Sequence, residues 1–333
     1  MARRAFLHVG TAKSGTTFLQ DLWWQQRDEL RDRVETFDAR ERGAWRRLVD
    51  ETGAWSGDVL VTNEHFSDSP PDAAAAAVAD LASVAEEVHV VVTARDLGRV
   101  LPSAWQQRVK MGARQPYRRF LATVRRGEGD QKFWRYQDVP AILGRWSAGI
   151  PHDRVHLVVV PPPGAPREEL WLRTGAVLGV DTAGLDTDAR RPNDSLGVVE
   201  AELLRRLNER VPRPRRSPAL TRHVKGSFVP EALAGSAARE PFAVPERHHG
   251  WIRQRSDAIV TDLRASSYDV VGDLDDLLPA PRGEGRTPDE VTDDELLAAA
   301  RTVVERLEVG PAGTLDEALD LVAGDWLARF SAR

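Results

Sequence analysis

The sequence predicts an α/β protein, a parallel sheet with helices on both of its faces. Short runs rich in valine, leucine and alanine alternate along the chain with longer stretches whose apolar residues recur at helical spacing. The short runs are apolar almost throughout rather than at every second position, the pattern of strands covered on both sides. A length of 333 residues allows one large core with further helices appended to it.

In chain order, strands are expected at residues 5–9, 59–62, 88–93, 155–160 and 268–271, each a β-branched or apolar run bounded by polar or turn residues. Helices are expected between them. Residues 16–30 carry Phe18, Leu19, Leu22 and Trp23 on one side, and residues 72–85 are alanine-rich. Further helical patterns cover 102–111, 117–125, 139–146, 167–178 and 196–207. The run Pro161-Pro162-Pro163-Gly164-Ala165-Pro166 stops the fourth strand and sets a proline near the next helix start. Residues 210–218 read as a Pro/Arg linker and 221–246 as irregular, before a helix with Trp251, Ile252, Ile259 and Leu263. Two last helices are expected at 294–307 and 315–330. The organisation expected is an α/β domain over 1–283 with a C-terminal helical extension, 284–333, packed on it.

A net charge of −5, from 46 basic and 51 acidic residues, is not that of a dedicated nucleic-acid binder. The charges are nevertheless segregated. Eight basic residues between Arg205 and Gly226 face one acid, Glu209, whereas ten acids between Asp269 and Glu295 face two arginines. The absence of cysteine excludes disulfides and thiolate metal sites and fits a reducing compartment. No apolar stretch approaches the roughly 18 residues of a membrane span, so the expectation is a soluble, cytoplasmic protein without a membrane partner. His248-His249 has no companion at metal-ligand spacing, and no metal is expected. No pattern encodes the oligomeric state.

The stretch Gly10-Thr11-Ala12-Lys13-Ser14-Gly15-Thr16-Thr17 joins the first strand to the first helix. A small-residue turn with one lysine at a helix start has the chemistry of a phosphate cradle: inward amides, the positive end of a helix dipole and one full charge. A Walker A loop sets its lysine directly after its second glycine, but here Lys13 precedes Gly15. Lys13-Ser14-Gly15-Thr16-Thr17 instead resembles the 5′-phosphosulfate loop of the sulfotransferases, which use 3′-phosphoadenosine 5′-phosphosulfate (PAPS). The resemblance implies a P-loop-like fold.

A second constellation leaves the third expected strand, with Arg95 at its end and Ser103 eight residues later near a helix start, so that both can meet one phosphate. This resembles the element that binds the donor's 3′-phosphate in that family, and Arg95 and Ser103 match it residue for residue. Farther on, Arg222-His223-Val224-Lys225-Gly226 resembles the family's Arg-Lys-Gly element, with valine where the arginine is expected. The contact is then left to Lys225 or Arg222, beside Gly226. The tryptophans 23, 24, 105, 134, 146 and 251 offer an adenine platform or core side chains.

Transfer to an alcohol or amine needs a base, and Glu64 and His65 follow the second expected strand. The resemblance does not choose between them, since carbohydrate-type sulfotransferases use an acidic residue there and cytosolic small-molecule members a histidine. Glu64 is set first, and strand alternation leaves one of the two facing the site. The activity implied is transfer of the sulfuryl group from PAPS to a hydroxyl or amine of a small-molecule or carbohydrate acceptor, with Lys13 stabilising the departing phosphate and no metal ion. The alternatives are a P-loop small-molecule kinase, for which Asp96 is the nearest candidate Mg²⁺ ligand, and a non-catalytic nucleotide-binding regulator.

Overall fold

The computed structural model describes residues 1–38, 45–127, 131–188, 195–233, 240–280 and 285–331. Its strands are β1 (Ala2–His8), β2 (Val34–Asp38), β3 (Asp58–Thr62), β4 (Ala85–Ala94), β5 (Val155–Val159) and β6 (Asp269–Val271). The helices are α1 (Thr16–Gln25), α2 (Arg27–Leu30), α3 (Trp45–Ala54), α4 (Pro71–Ala82), α5 (Leu97–Lys110), α6 (Tyr117–Arg126), α7 (Gln131–Gln137) and α8 (Val139–Trp146). They continue with α9 (Glu169–Leu178), α10 (Val198–Arg210), α11 (Pro218–His223), α12 (His249–Ala265), α13 (Asp293–Leu307) and α14 (Leu315–Ser331).

The strands form one parallel sheet in the order β2-β3-β1-β4-β5-β6. Leu7 lies opposite Val61 of β3 on one side and Val90 of β4 on the other, and β3 and β5 are buried along their whole length. One face of the sheet gives Phe6, Leu60, Val91 and Val158 to a core completed by Leu19, Leu22 and Trp23 of α1 and Leu170 and Trp171 of α9. Trp23 and Trp171 meet with ring centroids 4.3 Å apart. Helices α3, α4 and α8 cover the other face. Trp23, Trp105 and Trp146 are thus core residues, whereas Trp24 is exposed under the Arg27 guanidinium.

The five expected strands form, together with β2, which the residue pattern hides. Val34-Glu35-Thr36-Phe37-Asp38 contains two acids and no apolar run. Glu35 is buried there because Arg27, at 2.6 Å, and Arg31, at 3.1 Å, pair with it. The helix expected at 16–30 is two helices that meet at Gln26. Helix α5 begins at Leu97, five residues before the expected start, and takes Pro102 into its interior. Asp96 caps it by accepting from the Arg99 amide at 2.9 Å. Part of the segment expected to be irregular is helical: α11 runs into a π-helical stretch, Val224–Leu233.

The chain divides into two compact units that interleave in sequence. One comprises Met1–Val100, Gly129–Pro192 and Trp251–Ala280 and holds the entire sheet; the other comprises Leu101–Glu128, Asn193–Gly250 and Pro281–Arg333. In the second unit α13 and α14 pack on α10, and Trp326 stacks on Phe228 with centroids 5.1 Å apart. The boundary expected between residues 283 and 284 lies outside the described residues. Among the described residues, no helix is long and apolar enough to cross a membrane.

Part of the basic run is paired within the second unit. Arg205 pairs with Glu202 at 2.6 Å and Glu209 at 2.5 Å, Arg206 with Asp293 at 3.0 Å, and Arg210 with Asp316 and Asp320. Three of these five acidic partners come from the C-terminal helices, so Arg205, Arg206 and Arg210 of the basic run are paired within the protein.

Candidate active site

Strand order fixes where a ligand can enter the sheet. From β1 the chain moves to β2 and back to β3 on one side, then crosses to β4, β5 and β6 on the other. The crevice at such a reversal opens beyond the carboxyl ends of the flanking strands. Here those ends supply Gly10 to Gly15 after β1, Asn63 to His65 after β3 and Arg95 after β4.

The loop after β1 is tied to both neighbours. The Thr11 amide donates to the Thr93 carbonyl at 3.2 Å and the Asn63 amide to the His8 carbonyl at 3.4 Å. Lys13 and Gly15 have positive φ, 71° and 85°, while Ala12 and Ser14 do not, and the Ser14 amide donates to the Thr11 carbonyl at 3.3 Å, closing a turn inside the loop. Gly15 serves as the N-cap of α1 without any side-chain cap, so the first turn keeps its unpaired amides. Thr16 is 2% exposed and its hydroxyl has no hydrogen-bond partner. That hydroxyl lies so close under Gly10 that a Cβ there would meet it at 2.0 Å, so position 10 has room only for glycine. Thr17 is exposed.

Beneath the loop runs a buried polar chain that residue spacing does not reveal. The Gln20 amide reaches Thr62 Oγ1 at 3.3 Å, Thr62 Oγ1 lies 2.9 Å from His8 Nδ1, and His8 Nε2 lies 3.3 Å from Thr93 Oγ1. Thr93 Oγ1 is 2.7 Å from Ser14 Oγ, which donates to the Thr11 carbonyl at 2.7 Å. Each group finds one donor and one acceptor only if every hydroxyl points the same way and His8 is neutral with its proton on Nε2. Burial favours that state, holding the His8 pKa down at about 4. The Ser14 side chain is therefore committed below the loop.

Glu64 and His65 lie past the end of β3, in the short 3₁₀ turn Glu64–Asp68. The alternation expected of strand residues does not hold for them, because Asn63 ends the strand and caps the turn, its side chain accepting from the His65 amide at 2.9 Å. Glu64 is half-buried and His65 exposed. His65 Nδ1 stands 3.5 Å from the Tyr136 hydroxyl. Burial and the neighbouring Asp68 carboxylate push the Tyr136 pKa up to about 12, which keeps its proton in place near neutral pH.

Arg95 donates to the Lys13 carbonyl at 3.3 Å, which brings two expected site residues together. Gln137, the last residue of α7, donates to the Ala12 carbonyl at 2.6 Å. Ser103 is half-buried on α5, within the second unit. Arg222, on α11, and Lys225 and Gly226, on the π-helical stretch, are exposed residues of that same unit. Asp96 pairs with Arg99, whose guanidinium also donates to the Pro161 carbonyl at 2.8 Å.

The residues that sequence reasoning missed are His8, Thr62, Thr93, Tyr136 and Gln137. Threonines at the carboxyl ends of two strands were the available signal for the first three; nothing in the local pattern marks the last two. No protein-family model, curated protein or solved structure matches this chain.

Proposed function

We propose that this protein is a cytoplasmic sulfotransferase that moves the sulfuryl group of PAPS to a hydroxyl or amine of a small-molecule or carbohydrate acceptor. The observation that carries the reading is the loop from Gly10 to Thr17. It combines alternating backbone conformations, an uncapped helix start, a buried unpartnered threonine hydroxyl and one lysine, all at the reversal point of a parallel sheet. Lys13 set before Gly15, as in Lys-x-Gly-Thr-Thr, supports a phosphosulfate rather than a nucleoside triphosphate.

In this reading the loop amides, Lys13, Thr16 and Thr17 hold the 5′-phosphosulfate, while Arg95 meets the 3′-phosphate. Glu64 or His65 removes the acceptor's proton as its oxygen or nitrogen attacks sulfur in line with the bridging oxygen. The S–O bond to the 5′-phosphate breaks, and its electron pair stays on the phosphate oxygen, where Lys13 and the helix amides stabilise the charge. A sulfuryl group carries less charge than a terminal phosphoryl group, so these cations and dipoles suffice without a metal ion.

The test is a titration of the purified protein with adenosine 3′,5′-bisphosphate and with adenosine 5′-monophosphate. The bisphosphate is expected to bind at least about tenfold more tightly, since one charge-assisted contact contributes about 1.5–3 kcal/mol. Equal affinities overturn the donor assignment.

A further inference from the structure

Lys13 is the non-glycine residue of the loop held at positive φ, 71°. A lysine reaches that region only at a cost, and such a conformation persists where the surroundings over-determine it. The peptide before the Lys13 Cα and the peptide after it are each gripped by a side chain. Gln137 Nε2 donates to the Ala12 carbonyl at 2.6 Å, and Arg95 Nη1 donates to the Lys13 carbonyl at 3.3 Å. Because φ and ψ of Lys13 together set the relation between these two planes, holding both carbonyls restricts the pair to a narrow range that includes the left-handed one.

Gln137 can act as a rigid anchor because its own place is fixed. It is 3% exposed at the end of α7, and the next residue, Asp138, caps α8 and pairs with Arg255 at 2.8 Å. Arg255 in turn lies over the Trp134 ring of α7, 4.8 Å from its centroid.

The geometry points to Gln137 as a positioning residue that, with Arg95, clamps Lys13 in the left-handed conformation and so preorganises the loop for a tetrahedral dianion. It touches no part of the anion; its effect passes through the Ala12 carbonyl. This inference rests on reading the loop as an anion cradle, but not on the identity of the nucleotide. If Gln137 is lost, the Ala12–Lys13 peptide can rotate, Lys13 relaxes to negative φ, and the alternation of backbone conformations along the loop is broken. The same contact gives Arg95 a role independent of any 3′-phosphate.

Sulfate is the probe that separates these claims, because it remains a dianion throughout the range from pH 5 to pH 8 and carries no adenosine. Binding is followed by chemical-shift perturbation of the loop amides in wild type, Gln137→Ala and Gln137→Glu, with circular dichroism as a check on folding. Gln137→Ala is expected to weaken sulfate binding by roughly fivefold or more, the scale of one lost hydrogen bond. Gln137→Glu nearly preserves size, but an ionised carboxylate facing the Ala12 carbonyl repels it. That variant should bind most weakly at pH 8 and recover toward wild type as the pH falls to 5, where the protonated carboxyl again donates. A purely structural loss would not recover with acid.

Variants that bind sulfate as wild type does at pH 8, or a Glu variant that shows no recovery, overturn the clamp while leaving the cradle intact. A wild-type protein that binds no sulfate overturns the cradle and the clamp with it. A protein that binds sulfate with the expected pattern, yet cannot distinguish the two adenosine nucleotides, retains the clamp and loses the PAPS reading.

Discussion

His89 Nδ1 and His156 Nε2 lie 2.9 Å apart on adjacent strands, with their rings stacked at 5.2 Å. His156 Nδ1 faces Asp269 Oδ2 at 2.7 Å, and His89 Nε2 faces Glu87 Oε2 at 3.3 Å, so four side chains form one line across β4, β5 and β6. One proton on His156 Nδ1 and one on His89 Nδ1 satisfy two of the three contacts. The third contact then sets a lone pair of His89 against the Glu87 carboxylate. Glu87 also pairs with Arg154 at 2.8 Å, which draws its charge away from His89. Burial outweighs the pull of Glu87, and the His89 pKa lies below the ordinary histidine value.

Acidification should therefore destabilise the protein. A histidine whose folded pKa is depressed binds its proton at lower pH than in the unfolded chain, so between the two values the unfolded state holds more protons and stability rises with pH. His8 dominates, falling from 6.5 to about 4. Its contribution is complete above pH 6.5, and about 3 kcal/mol of it is lost by pH 4; His89 acts in the same direction. The expected result is a Tm that falls steadily from pH 7 to pH 4, with a flatter profile in His8→Gln. A Tm that rises over this interval contradicts the neutral state of His8 and His89.

Lys13→Ala should lower affinity for adenosine 3′,5′-bisphosphate by about 1.5–3 kcal/mol and lower turnover further, since the charge also follows the leaving oxygen. Calorimetric titration and initial rates measure the two effects separately. Unchanged affinity and rate would place the anion elsewhere.

Arg95→Ala probes the 3′-phosphate and the loop together, because Arg95 also holds the Lys13 carbonyl. Loss of the phosphate contact lowers the preference for the bisphosphate over the monophosphate, and loss of the bond to the loop lowers sulfate affinity. Arg95→Ala should reduce both. If Arg95→Ala leaves sulfate binding at the wild-type level, its bond to the loop has no energetic weight.

The base is tested by substitution at the turn after β3. Glu64→Gln should lower turnover roughly 10²–10⁴-fold with donor affinity preserved, whereas His65→Ala should be milder. The reverse order transfers the assignment to His65. Tyr136, with its pKa pushed up to about 12, is a hydrogen-bond donor at neutral pH, so Tyr136→Phe should not introduce a new ionisation into the rate profile.

Turnover should survive EDTA, since Lys13, Arg95 and helix amides neutralise the transferred group in this mechanism. A kinase would need a strand-end carboxylate for Mg²⁺, and Asp96 is instead committed to Arg99 and the start of α5. Loss of turnover in EDTA, restored by Mg²⁺, would count against sulfuryl transfer.

The parallel sheet was legible in the residues because strands covered on both faces must be apolar nearly throughout, as Val59-Leu60-Val61 and Val90-Val91-Val92 are. The loop at Lys13 was legible because its glycines, threonines and lysine are consecutive. Strand β2 was not, because Glu35 becomes a buried residue only once Arg27 of α2 and Arg31 just past its end turn toward it. The neutral state of His8 and the left-handed conformation of Lys13 were likewise decided by the tertiary fold. The first depends on Thr62 and Thr93, and the second on Arg95 and Gln137, the latter 125 residues from Ala12 in sequence. Hydrophobic period is a local property, written wherever a strand or helix must bury one side. A proton's position or a backbone angle at a site depends on partners that only folding brings within hydrogen-bond distance.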